Sequence, residues 1–154
     1  MGNIREVTKS IARIWRLHKT RESLYRSAMR MADLGSCRKT CSLGYMNSVL
    51  FRKEVGEMYD CCKYSLEDAK LSSIATSDPA ENFQEAEKVE LFLALIEIQD
   101  RIISAYHILS QELDPSSEQP FLMTDHVHKL NELNQLLEKE IISMGLHAEL
   151  FAVA

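Results

Sequence analysis

The chain has 154 residues, 45% of them hydrophobic and 27% charged, with only five Gly and three Pro. A chain of that size can build one hydrophobic core without a disulfide or metal staple. So few turn-forming residues favour a handful of long helices over many short strands, and excludes most all-β architectures.

The net charge of −5 is unevenly spread: residues 1–30 carry eight Lys/Arg against two acids, residues 31–70 six of each, and residues 71–154 four bases against fifteen acids. The opening MGNIREVTKSIAR has charges throughout and no apolar stretch, so it does not read as a secretory leader. Glu6 stands where a myristoylation signal would place Ser or Thr. No apolar run approaches the ~20 residues of a membrane span. These features predict a cytoplasmic protein with no membrane partner.

Apolar residues recur at helical spacing along almost the whole chain. The pattern predicts helix one over 4–34, with Ile4, Val7, Ile11, Ile14, Tyr25, Ala28 and Ala32 on one face, ended by Gly35-Ser36. Helix two is predicted over 38–74, with Leu43, Met46, Leu50 and Cys61 on its inner stripe and Gly44 and Gly56 as weak points. Asp78-Pro79 breaks the chain and offers an N-cap and first-turn proline for helix three, which runs to about 113. Its inner face holds Leu91, Leu95, Ile98, Ile102, Tyr106 and Leu109. LDPSSEQP is the second break, and helix four follows over 122–144, with Val127, Leu130, Leu133, Leu137 and Ile141 inward and Gly145 as its stop. Two hairpins, about 4–74 and 79–145, with a tail at 146–154, predict a single all-α domain: an up-down antiparallel four-helix bundle. LYRSAMRMAD and AYHILSQELD form a faint echo between the hairpins, each with a Tyr and an Asp eight residues on.

The four cysteines, Cys37, Cys41, Cys61 and Cys62, contain no CxxC pair. Cys41 and Cys61 fall on one predicted helix, roughly 30 Å apart, too far to share a zinc ion or a disulfide within the chain. Reduced, partly buried thiols are expected.

SLYRSAMRMADLGSCRKTCSLGYMNSVLFRKEV, followed by DAKL, resembles the first hairpin of small bacterial ferritin-like proteins, a family of unknown function with a Tyr-Arg-x-Ala step, a short turn and a Leu-Phe followed by an acid. The resemblance implies a ferritin-like bundle, often dimeric, and in the wider superfamily a pair of iron ions at the bundle centre.

Di-iron chemistry needs carboxylates and imidazoles converging between the helices, usually including Glu-x-x-His, which this sequence lacks. At 100° per residue, His18 falls near the centre of helix one's apolar face and Glu22 at its edge, while Glu54 and Glu57 fall on and beside the stripe of helix two. The second hairpin offers little: Glu97 and Glu132 point out, whereas Gln99, Tyr106, His126 and Asn134 point in. Two readings stay open. His18 and Glu22 form a buried polar pair reaching Glu54, Arg21 or Tyr25, with no cofactor. Alternatively His18, Glu22, Glu54 and Glu57 hold iron in a degenerate site with a ferroxidase or storage role.

Arg5, Lys9, Arg13, Arg16, Lys19, Arg26 and Arg30 form an outward basic face on helix one. It reads as a solvated face that pairs with the acidic second hairpin, inside one chain or across a dimer. With no aromatic interleaved and an acidic chain overall, nucleic acid is disfavoured as a partner. His126 and His128 would project about 160° apart, a poor chelate, one capping helix four and one exposed. Trp15 reads as a core or interface anchor and the methionines as gap fillers. No Gly-rich phosphate loop, nucleophile elbow or HExxH is present. The expectation is a non-enzymatic helical protein that self-associates or binds a protein partner.

Overall fold

The computed structural model describes residues 4–31, 34–63, 88–113 and 119–144, and every element among them is helical. The described residues form four long helices, α1 (Ile4–Met29), α2 (Arg38–Lys63), α3 (Lys88–Glu112) and α4 (Gln119–Ser143). Residues 64–74 of the expected second helix, the Asp78-Pro79 start of the third, Gly145 and the 146–154 tail lie outside the described residues. None of the four is apolar enough over a long enough stretch to cross a membrane.

α1 stops five residues earlier than its periodicity suggests. Its last turn tightens, with Arg30 N–H bonded to the Ser27 carbonyl at 3.2 Å and Met31 N–H to Ala28 at 3.1 Å. Gly35 then takes φ 54°, a left-handed conformation that glycine adopts without a Cβ penalty, and opens a 3-10 turn, Gly35–Cys37, that feeds α2. At the other end, α4 begins at Gln119, earlier than the expected 122.

Long-range side-chain bonds give the register. Along α1 and α3, Ser10 meets Glu112, His18 meets Tyr106, and Tyr25 meets Gln99, so one index rises as the other falls. The same holds for α1 and α2 (Glu22 with Arg52, Tyr25 against Gly44), α3 and α4 (Tyr106 with His126, Gln99 with Asn134), and α2 and α4 (Glu54 with His126, Thr40 with Glu140). Each bonded pair is antiparallel, and α2 and α3 therefore point the same way.

The core is filled by Val7, Ile11, Ile14, Tyr25 and Ala28 of α1 and by the six expected residues of α3, all buried, whereas Ile4 is exposed. In α4, Leu130, Leu133, Leu137 and Ile141 are buried and Val127 is half-buried. The expected stripe of α2 is a correction. Leu43, Met46 and Leu50 are 51%, 68% and 51% exposed, and Cys61 is exposed with them. The buried face is instead Cys37, Cys41, Gly44, Ser48, Phe51, Val55 and Met58. On a helical wheel that face lies about 140° from Leu43, Met46 and Leu50. Small and polar residues dilute the true inner face, so the larger outer side chains imitate it.

Candidate functional site

Two polar layers cross the core, and each takes one side chain from every helix. The first holds His18 of α1, Glu54 of α2, Tyr106 of α3 and His126 of α4. His18 Nε2 lies 2.9 Å from Tyr106 Oη, Tyr106 Oη lies 2.5 Å from His126 Nδ1, and His126 Nε2 lies 3.2 Å from Glu54 Oε1. The second holds Arg21, Asn47, Gln99 and Asn134. Arg21 donates from Nη1 to Gln99 Oε1 at 3.2 Å and from Nη2 to Asn47 Oδ1 at 2.8 Å. Tyr25 Oη–H donates to the same Gln99 oxygen at 2.7 Å, Gln99 Nε2 donates to Asn134 Oδ1 at 2.6 Å, and Asn134 Nδ2 donates to Asp100 at 2.9 Å.

One proton arrangement serves the first layer. His126 Nε2–H donates to the Glu54 carboxylate, leaving Nδ1 to accept from Tyr106 Oη–H. The Tyr106 oxygen then accepts from His18 Nε2–H. His18 Nδ1 is left as a bare lone pair, and it is the His18 atom without a partner. The opposite His18 tautomer would bury an unpaired N–H instead, a costlier outcome.

Burial holds both imidazoles neutral. It lowers His18 well below its ordinary value, with Arg21 and His126 pushing the same way, and it brings His126 down to about 4. It also pushes the Tyr106 and Tyr25 hydroxyls up, so both stay protonated donors. Glu54, partly exposed, is raised by burial and then by Asp125 and Glu57. Arg21 is fully buried, and among the described residues no carboxylate is bonded to it. Its partners are two amide oxygens and the Phe51 ring, 5.4 Å away, and its Nε is unpartnered. Burial accordingly brings it down to about 10.

Phe51 joins the layers. It stacks on His126 at 3.6 Å between centroids and meets the edge of His18 at 5.7 Å.

The four residues expected to hold a metal divide. His18 goes to Tyr106 and Glu54 to His126, while Glu22 is held by Arg26 Nη2 at 3.0 Å and Arg52 Nε at 2.8 Å. Glu57 is exposed. Among the described residues no group of three or more His, Cys, Asp or Glu converges where it could hold a metal ion. The partner of His18 is thus Tyr106, not Glu22, Glu54, Arg21 or Tyr25. His126 does not cap α4: the helix starts seven residues earlier, at Gln119, and this histidine is fully buried. His128 is exposed and bonds Glu132 at 2.7 Å. Phe51 and Asn47 belong to the site but carry no sequence signal of their own. Gln99, Tyr106, His126 and Asn134 are readable as inward polar residues, and their pairing is not.

A second cluster sits where α2 begins. Cys37 Sγ–H donates to Glu140 Oε2 at 3.0 Å, and Thr40 donates to the other carboxylate oxygen at 3.4 Å. Burial pushes the Cys37 thiol up to about 11 and the Cys41 thiol to about 12. Both are protonated at neutral pH and so poor nucleophiles. All four cysteines are free thiols. A shallow groove of about 400 Å³ lies between α1 and α3, lined by Arg13, Leu93, Glu97, Asp100, Arg101 and Ser104. Its two arginines and two carboxylates balance, and no nucleophile–base pair converges in it. The seven residues of the expected basic face, Arg5, Lys9, Arg13, Arg16, Lys19, Arg26 and Arg30, are all exposed, and Arg26 among them is paired with Glu22.

The chain matches no protein-family model, no curated protein and no solved structure.

Proposed function

We propose that this is a non-enzymatic helical protein that acts by self-association or partner binding through the outer face of α2. The observation that carries the reading is the exposure of Leu43, Met46 and Leu50 together, at i, i+3 and i+7 on one helix face. Three large apolar side chains in a row on one helix face are the ordinary mark of a contact surface, whereas the other exposed large apolar residues, Ile4, Ile108 and Ile142, stand one to a helix. The interior supports the reading from the other side: its polar groups bond mainly to one another, an arrangement that fixes helix register. The helix directions, with α2 and α3 pointing the same way, depart from the expected up-down alternation and require one long crossover, the feature that supports a ferritin-like bundle. The test is a dilution series followed by methyl NMR. Resonances of Leu43, Met46 and Leu50 are expected to shift with concentration or on adding a partner, while those of buried Leu95 and Leu130 stay fixed. Invariant Leu43, Met46 and Leu50 methyls would overturn the reading.

One observation favours a second reading, a divergent iron protein: two imidazoles, a phenol and a carboxylate follow one another from four helices. Against it, Arg21 places an uncompensated positive charge beside His18, and the Tyr106 hydroxyl fills the space between the two imidazoles. Anaerobic Fe(II) loading followed by elemental analysis separates the readings. One or two irons per chain, lost in Glu54→Ala, would favour iron.

A further inference from the structure

We infer that the occupant of the α2 face is a second copy of this chain, docked antiparallel about a two-fold axis beside residue 48, with Lys39 of each copy against Glu57 of the other. The inference rests on the reading that α2 is a contact surface, and adds the partner and its direction.

The exposed residues of α2 include Lys39, Leu43, Met46, Leu50, Lys53 and Glu57, at steps of four, three, four, three and four. That is a heptad seam, the spacing that keeps one helix edge facing another. It spans roughly 27 Å of helix. Its centre is apolar, its N-terminal end basic and its C-terminal end acidic at Glu57.

The order of charges selects the direction. In an antiparallel pair the seam closes when facing residue numbers sum to 96: Met46 faces Leu50, Leu43 faces Lys53, and Lys39 faces Glu57. Each match repeats by symmetry, as an isologous contact requires. The apolar side chains meet at the centre. The Lys53 methylenes lie over Leu43 with the ammonium at the rim, and an opposite-charge pair closes each end. In a parallel pair the same seam sets Lys39 against Lys39, Lys53 against Lys53 and Glu57 against Glu57, three like-charge contacts with no compensation. The helix dipole does not oppose the test substitutions, since an acid at residue 39 and a base at 57 both suit their ends of α2.

Cys61 reports the alternative. It lies five full turns beyond Leu43 on the same outer face and is exposed. In the antiparallel dimer the two Cys61 thiols stand roughly 39 Å apart, whereas in a parallel dimer they meet.

The experiment is sedimentation equilibrium of the full chain with K39E, E57K and K39E/E57K, together with mild oxidation of the wild type and of K39C and K39C/E57C in a Cys61→Ser background. The wild type is expected to dimerise. K39E alone is expected to weaken the dimer about tenfold, because symmetry applies the reversal twice, and the double reversal to restore it to within about twofold. Disulfide-linked dimers are expected from K39C/E57C and not from K39C alone. A wild type that stays monomeric overturns both the dimer and the self-association behind it. A dimer that crosslinks through K39C alone, or through native Cys61, overturns the antiparallel arrangement and leaves self-association standing. A dimer indifferent to every charge variant puts the contact elsewhere and overturns the inference.

Discussion

The Tyr25 ring fills the space where a side chain at Gly44 would stand, and a Cβ added there would come within 2.6 Å of the Tyr25 hydroxyl. That hydroxyl also donates to Gln99, so the ring is fixed from two sides. Gly44 is therefore the point of close approach between α1 and α2. In an exposed helix interior, Gly→Ala would stabilise by about 1 kcal/mol. Here Gly44→Ala is expected to destabilise by about 1–3 kcal/mol through overpacking, read as a fall in the denaturation midpoint without a change in m-value.

Tyr106→Phe removes the hydroxyl that accepts from one buried imidazole and donates to another. Two buried polar atoms lose their partner at once while ring packing is kept. A loss of about 2–4 kcal/mol is expected, at roughly 1–2 kcal/mol per orphaned group. Chemical denaturation at pH 7.5 measures it.

Stability is expected to fall in mild acid. His126 has its folded value near 4 against an ordinary 6.5, and His18 is also lowered. Between those pH values the unfolded chain binds more protons than the folded one, so stability is fully present above about 6.5 and declines as pH falls toward 4. His126 alone accounts for about 3 kcal/mol across that window. Glu54, raised in the fold, works in the opposite sense just above its ordinary pH range and recovers part of the loss. Denaturant midpoints from pH 7.5 to 4 are expected to show the decline, and His126→Phe to flatten it.

The two faces of α2 are expected to respond oppositely to substitution. Phe51, fully buried against His126, His18 and Arg21, should cost about 3–5 kcal/mol when cut to Ala. Leu43→Gln, Met46→Gln and Leu50→Gln should each change monomer stability by no more than about 0.5 kcal/mol, because those side chains stay in solvent. Thermal melts at low protein concentration distinguish the faces.

Helix content was legible because the apolar residues of α1, α3 and α4 keep a helical period. α2 is equally legible as a helix, but its inward face is not, because it carries two competing stripes. Its true inner face is built from Cys41, Gly44 and Ser48 as much as from Phe51 and Val55, since Tyr25 and the polar layers leave little room there. The more hydrophobic Leu43, Met46 and Leu50 stripe faces outward. The inward polar set was partly readable: His18, Gln99, Tyr106, His126 and Asn134 fall on apolar faces by helical phase alone. Their partners depend on register between helices, which periodicity does not encode: helical phase pairs His18 with Glu22 on its own helix, and the fold pairs it with Tyr106, 88 positions away. The Tyr shared by the two echoing segments does have a structural counterpart: Tyr25 and Tyr106 are both buried and both bond into the polar layers.

The measurement that bears most directly on the account is sedimentation equilibrium of the wild-type chain beside a variant with Gln at positions 43, 46 and 50. A concentration-dependent dimer in the wild type, absent from a variant that melts at the same temperature as the wild-type monomer, is the result the account requires. A wild type that remains monomeric at every concentration, or a variant that dimerises as well as its parent, would contradict it.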